Sequence, residues 1–227
     1  MDRTGTVHDS IKLSFNVGDI AVTREGLILL LDWANNSVKS VSKDGEFKTL
    51  VTSETYPCGI CCLTNGNFVV VFADTKQVIE YDDKGEEKRV FDKSLFKRPW
   101  FVAENKVNKH LYVCDKSHYS QQTSPGRVLA LDAHGELQYT YSGQSSSEFV
   151  PMGMCSDSTG NVLITDYKKH RIHLLDKDGR FLQYVLCREH GVVDPYALVV
   201  DAHGFTWVCT GNKKQVMVFK YSMSTMG

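Results

Sequence analysis

The sequence predicts an all-β fold, a β-propeller of four-stranded antiparallel blades with five recognisable blades, on three observations. A motif with fixed internal spacing recurs five times. Each copy consists of short apolar runs separated by Gly or Asp-Gly turns. No segment of useful length carries helical periodicity. The copies lie at about 18–56, 57–97, 98–149, 150–193 and 194–221, within one domain spanning 1–227.

The first copy sets Gly26, Asp32, Val38 and Gly45 at intervals that recur as Gly160, Asp166, Ile172 and Gly179. In a third stretch, Gly66, Val78 and Gly85 keep the same spacing, with Phe72 in the aspartate position. Asp115, Val128 and Gly135 mark another, lengthened after its aspartate by KSHYSQQTSPGR at 116–127. The last copy keeps Gly204 and Val216, has Thr210 for aspartate, and stops before a final turn. Ahead of each first turn stands an anchor run: DIAVT at 19, CGICC at 58, WFVAE at 100, MGMCS at 152 and YALVV at 196. Pro57, Pro99, Pro151 and Pro195 precede four of them, and a residue without an amide to donate suits a strand start. Each unit is therefore four strands: the anchor, the aspartate-bearing strand, a third through the Val/Ile position and a fourth after the second glycine. Four strands recurring about every 40 to 50 residues are a propeller blade.

Bulk properties narrow the function classes. With 42% apolar and 23% charged residues the composition is that of an ordinary globular domain. A formal charge of -1 argues against a strongly basic nucleic-acid binder. No apolar run reaches the length of a membrane span, and the start carries no secretory signal, so a cytoplasmic protein is expected. Seven cysteines without such a signal point to reduced thiols. CGICC lacks the second ligand pair a zinc site needs, so no metal and no cofactor are expected. Cys61 and Cys155 share the anchor position of Ala103 and Val199, and Cys114 and Cys209 share that of Leu31, so these thiols read as small core hydrophobes.

The stretch Asp166, His170, Arg171, Ile172, Asp178, Gly179 closely resembles the NHL repeat, and DWANNSV, DKS…GRV and TGNKKQV match it in part. From about residue 10 to 221 the chain resembles the NHL-type propeller of TRIM-like (tripartite motif) proteins, in the divergent form of invertebrates. That resemblance implies a substrate-recognition module of a ubiquitin ligase, whose parent would carry RING and B-box regions and a coiled coil for oligomerisation. It also implies six blades. HDSIKLSF at 8–15 reads as a lone fourth strand (10–15), which either completes the last blade or is the remnant of a lost one.

Alternate turns of such a blade emerge on opposite faces. Third turns are acidic (KDGE at 43, DDKGEE at 82, DAHGE at 132, DKDG at 176), whereas second turns lean basic. The expected partner-binding residues are Lys76, Lys116, His118, Tyr119, Arg127, Tyr167, Lys168, Lys169, Arg171, Lys213 and Lys214. Within the NHL motif itself, Asp166, His170 and Arg171 read mainly as turn punctuation. Trp33 and Phe72 lie by second turns, and Tyr56, Phe96, Trp100, Phe149 and Tyr196 flank inter-blade loops. Three functions compete: a protein-interaction module that receives a partner or ubiquitination substrate, a binder of single-stranded RNA, and a metal-dependent propeller hydrolase or lyase. The anchors offer only Asp19 and Glu104 as carboxylates and no histidine, so no catalytic residue is expected.

Overall fold

A computed structural model describes residues 10, 12–42, 44–116, 125–144, 148–211 and 215–220. It is an all-β propeller of antiparallel blades with almost no helix, as the repeat predicts. Blade one comprises β1 (Val17–Val22), β2 (Ile28–Asp32), β3 (Ser37–Val41) and β4 (Phe47–Thr52). Blade two comprises β5 (Gly59–Cys62), β6 (Phe68–Phe72), β7 (Gln77–Tyr81) and β8 (Glu87–Val90). Blade three holds β9 (Pro99–Glu104), β10 (Leu111–Asp115), β11 (Arg127–Leu131) and β12 (Leu137–Tyr141). Blade four holds β13 (Pro151–Ser156), β14 (Val162–Asp166), β15 (Arg171–Leu175) and β16 (Phe181–Leu186). Blade five has three strands among the described residues, β17 (Pro195–Val200), β18 (Phe205–Thr210) and β19 (Gln215–Lys220).

The turn residues act as the spacing requires. Gly26, Gly45, Gly66, Gly85, Gly135, Gly160, Gly179 and Gly204 all have positive φ, where a Cβ is strained. An aspartate three residues earlier ties several of these turns together. The Asp132 carboxylate accepts the amides of His134 (2.8 Å) and Glu136 (3.0 Å), and Asp82, Asp157, Asp176 and Asp201 do likewise. The acidic turns are therefore built from turn geometry as well as displayed charge.

The inner strands pack in series: β1 on β5, β5 on β9, β9 on β13 and β13 on β17. Strand alternation gives every sheet two apolar faces, one for each neighbour. Leu29, Leu31 and Val38 pack into blade two with Ile60 and Val70, and the same positions of blades two, three and four fill the next three interfaces. At ring centre Gly59 and Gly153 let neighbouring backbones meet. A Cβ on Gly153 would lie 2.7 Å from the Tyr196 carbonyl oxygen, and one on Gly59 2.6 Å from that of Trp100.

No comparable packing joins β17 to β1 among the described residues. The residues that would form that junction are instead exposed. Val38, Val78, Val128 and Ile172 are fully buried, whereas their counterpart Val216 is 55% exposed. Ile60, Val102, Met154 and Leu198 are buried, whereas Ile20 is 56% exposed. Among the described residues the array of blades is open between its fifth and first members. Residues 12–16 form no strand and do not complete the last blade. Phe15 instead meets the Phe47 ring edge-on at 5.8 Å, with the Lys39 ammonium 4.4 Å from its centroid, so this segment runs over blade one.

The cysteines divide by blade position. Cys58 and Cys114 are buried, while Cys61 and Cys155 are only half-buried, although both pack on inter-blade cores. Burial pushes the Cys114 and Cys155 thiols up to about 12. Cys209, expected in a core, is exposed because no blade covers its face.

Candidate functional site

The second turns and inter-blade loops share one face, and its polar residues fall into two groups. The first group braces the fold. Asp115 closes β10 and is buried. Its carboxylate accepts the amides of Lys97 (2.9 Å) and Arg98 (2.6 Å) and the Arg127 Nε (2.9 Å). Arg127 Nη2 also donates to the Leu95 carbonyl (2.8 Å), so this arginine ties the blade to the loop before it. Asp166 is equally buried. It accepts amides from Val150 (3.3 Å) and Lys169 (3.4 Å) and lies 3.3 Å from His173 Nε2. Arg171 stands 3.7 Å from Asp166 and stacks over Tyr184 at 4.0 Å. His173 itself is fully buried, with Tyr141 Oη 2.6 Å from Nδ1. Burial holds its imidazole below the ordinary histidine range, opposed by the Asp166 carboxylate. The signature aspartate thus joins a Tyr141–His173–Asp166 network that links blade three to blade four.

Lys116 belongs with this group rather than with the displayed cations. The sequence placed it on the basic face, but it is buried, with Nζ 2.7 Å from Met152 Sδ and about 5 Å from the Trp100 and Phe101 rings. Burial lowers its ammonium to about 8. Its position follows from β10, which ends one residue earlier and aims the stem inward.

The second group faces solvent. Lys76 and Lys168 are exposed and have no ion pair among the described residues. Lys169 is half-buried and pairs with Glu148 (3.0 Å), an ion pair that holds the Glu148 carboxyl below its usual range. His170 Nδ1 accepts the Asp194 amide (3.0 Å). Arg98 pairs with Asp74 (3.0 Å) and lies over the Trp100 ring at 5.4 Å. Tyr167 is half-buried beside Gly211. His118, Tyr119, Lys213 and Lys214 lie outside the described residues.

Aromatic groups complete the face. Trp33 is 39% exposed, with its indole N–H fixed to the Pro57 carbonyl (2.7 Å) and Tyr56 edge-on at 6.2 Å. Tyr196 is 36% exposed and meets Phe101 edge-on at 5.8 Å. Phe72, Phe96 and Phe149 are buried in inter-blade cores. Arg98 was not singled out in the sequence, although its place before Pro99 and Trp100 is the signal that could have found it.

The opposite face carries a cleft of about 410 Å³ between blades two and three, lined in part by Thr64, Arg89, Glu104 and Asp132. Its charged groups are engaged internally. Arg89 bonds Glu80 (2.6 Å) and the Ala133 carbonyl (2.8 Å), and Glu104 accepts from Thr64 (2.8 Å). Among the described residues no three His, Cys, Asp or Glu side chains converge as metal ligands, and no helix is long and apolar enough to cross a membrane.

No family model matches the chain, and no curated protein matches it in sequence. Solved structures do match in fold. A chain of the nidogen/laminin complex superposes with TM-score 0.74 at 15% identity, covering 90% of this chain and 76% of that one. Virginiamycin B lyase from Staphylococcus aureus gives 0.66 at 13%, covering 93% and 72%. Kuenenia stuttgartiensis hydrazine synthase gives 0.67 at 14%, covering 97% and 88%. Identities this low establish the fold, and the fold is compatible with binding and with catalysis alike.

Proposed function

We propose that this chain is a non-catalytic interaction module that receives a protein partner on its second-turn face, as the substrate-recognition propeller of a TRIM-like ubiquitin-ligase-type protein would. The observation that carries the reading is the rim formed by half-exposed Trp33 and Tyr196 with Arg98 stacked over Trp100. Tryptophan, tyrosine and arginine dominate the energetics of protein interfaces, and here they are held rigidly before any partner arrives. The Trp33 indole is fixed by Pro57 and the Arg98 guanidinium by Asp74, so little side-chain entropy remains to be lost on docking. The nidogen/laminin structure shows a chain of similar fold in a protein complex, in keeping with this use.

Single-stranded RNA is the competing ligand. Of the described second-turn cations, Lys169, Arg127 and Arg171 each lie beside an acidic partner, as Arg98 does in the loop before blade three, and Lys76 and Lys168 are exposed to phosphates. The test is comparative capture from cell extract with the wild-type chain, Tyr196→Ser and Lys76→Glu/Lys168→Glu, each checked for unchanged thermal unfolding. A defined protein retained by the wild type and lost with Tyr196→Ser supports the reading. Retention of unstructured RNA that weakens steeply with salt, and falls with the lysine variant, replaces it.

A further inference from the structure

The outer edge of blade four ends in a segment that the candidate face does not use. After β16 the chain enters a short 3-10 turn, Arg188–His190, closed by Gly191 in the left-handed conformation (φ 83°). The turn folds the His190 ring back onto the preceding cysteine, and Cys187 Sγ lies 3.1 Å from His190 Nδ1. The Cys187 amide also donates to the same nitrogen (3.2 Å), so Nδ1 is the acceptor and Nε2 carries the proton. The same nitrogen thus has two donors before it, the amide and, at 3.1 Å, the thiol, and lies close enough to take the thiol proton.

Its imidazole contact and its place on an exposed turn separate this thiol from the rest. Cys58 and Cys114 are buried, and Cys61, Cys62 and Cys155 are half-buried, with burial raising the thiols of all five. Cys209 is exposed but sits in β18 between Ala197 and Val216, where desolvation raises its thiol. Cys187 is half-buried on a turn whose other residues, Arg188, Glu189 and His190, are exposed. Of the cysteines it alone has an imidazole in contact among the described residues.

We infer that Cys187 and His190 form a nucleophilic thiol–imidazole pair, a modification site that takes low-molecular-weight disulfides. In the step, His190 Nδ1 accepts the thiol proton and the Cys187 sulfur attacks one sulfur of the incoming disulfide. A mixed disulfide forms, the original S–S bond breaks, and the departing thiolate collects the proton from the imidazolium. The incoming disulfide is the oxidant, and no other reactant is needed.

The native chain is incubated with oxidised glutathione at neutral pH, quenched by acid, and modification is mapped by peptide mass spectrometry. Cys187 should form the mixed disulfide about tenfold faster than Cys209, because His190 is in contact to take its proton while Cys209 has no imidazole in contact among the described residues. His190→Ala should slow Cys187 by a similar factor while leaving the Cys209 rate and the thermal unfolding curve unchanged. Equal rates at the two cysteines overturn the proposal, as does a Cys187 rate unaffected in His190→Ala. If His190→Ala also alters unfolding, His190→Asn, which preserves a polar side chain, is compared, and a Cys187 rate equal to wild type again overturns it.

Discussion

Replacing Val216 by aspartate should be tolerated, whereas the same replacement at Ile172 should strongly destabilise the chain, although the repeat makes the two positions equivalent. Ile172 is fully buried between blades four and five, while Val216 is 55% exposed on the open side of blade five. Ile172→Asp removes a wholly buried side chain, a loss of about 2 to 3 kcal/mol in transfer free energy. It also places a carboxyl group in an apolar interface, costing a further ~2 kcal/mol or more even when the group is protonated. A total of roughly 4 to 5 kcal/mol is a large share of a domain's stability. Val216→Asp forfeits less than half of a smaller side chain's burial and leaves the carboxylate in water, so its cost should stay below about 1 kcal/mol. Urea titration followed by tryptophan fluorescence measures both, with the slope checked for constancy so that midpoint shifts report stability. Ile60→Asp and Ile20→Asp repeat the comparison on the other side of the opening, with Ile60 buried and Ile20 exposed. If Val216→Asp and Ile20→Asp cost as much as their buried counterparts, the ring is closed in solution and the argument from exposure is wrong.

Three further outcomes are expected. Gly153→Ala and Gly59→Ala should each lose about 1 to 3 kcal/mol, because the added methyl meets a neighbouring backbone carbonyl and cannot rotate away; unchanged urea midpoints would refute the close approach. Asp19 accepts the Ile60 amide (3.0 Å), yet burial raises its carboxyl from 3.8 to about 6, so the folded state holds this proton more tightly than the unfolded state. Its contribution is therefore full below about pH 4 and lost as pH rises through 6, and Asp19→Asn should stabilise the chain at pH 8 relative to wild type by roughly 1 to 3 kcal/mol. His173 has the opposite sign: its lowered folded value means stability falls as pH drops below the ordinary histidine value, and His173→Gln should flatten that limb of the pH profile in thermal melts.

The fold was legible because spacing records it. Glycines at positive φ and aspartates that cap tight turns are demanded by local backbone geometry, so their intervals survive in the sequence even where Phe72 or Thr210 replaces the aspartate. The candidate site was less legible. Arg127 and Arg171 look like displayed cations in a basic turn, but each lies against the buried aspartate that ends the preceding strand, at 2.8 Å and 3.7 Å. Nothing in a linear charge count shows which cations have such a partner. Lys116 was misplaced for a related reason: a lysine next to a turn residue reads as solvated, and only the strand's alternation decides whether its stem points inward.

The same limit explains the fate of Cys209. Its repeat position predicts burial, and Leu31, Val71, Cys114 and Thr165 at that position are buried, as the packing of one blade on the next requires. A repeat predicts the burial of a position only when the neighbour that buries it exists. Among the described residues blade five has a neighbour on one side only, so Leu198 and Val208 are buried while Cys209, Val216 and Val218 on the reverse of the same sheet are exposed. Blade one shows the mirror case, with Leu29 and Leu31 buried and Ile20 and Val22 exposed. Sequence periodicity thus encodes what each blade is prepared to bury, and the order of the ring decides which of those preparations is used. The two unused faces are the largest difference between what the repeat prescribes and what the chain by itself satisfies.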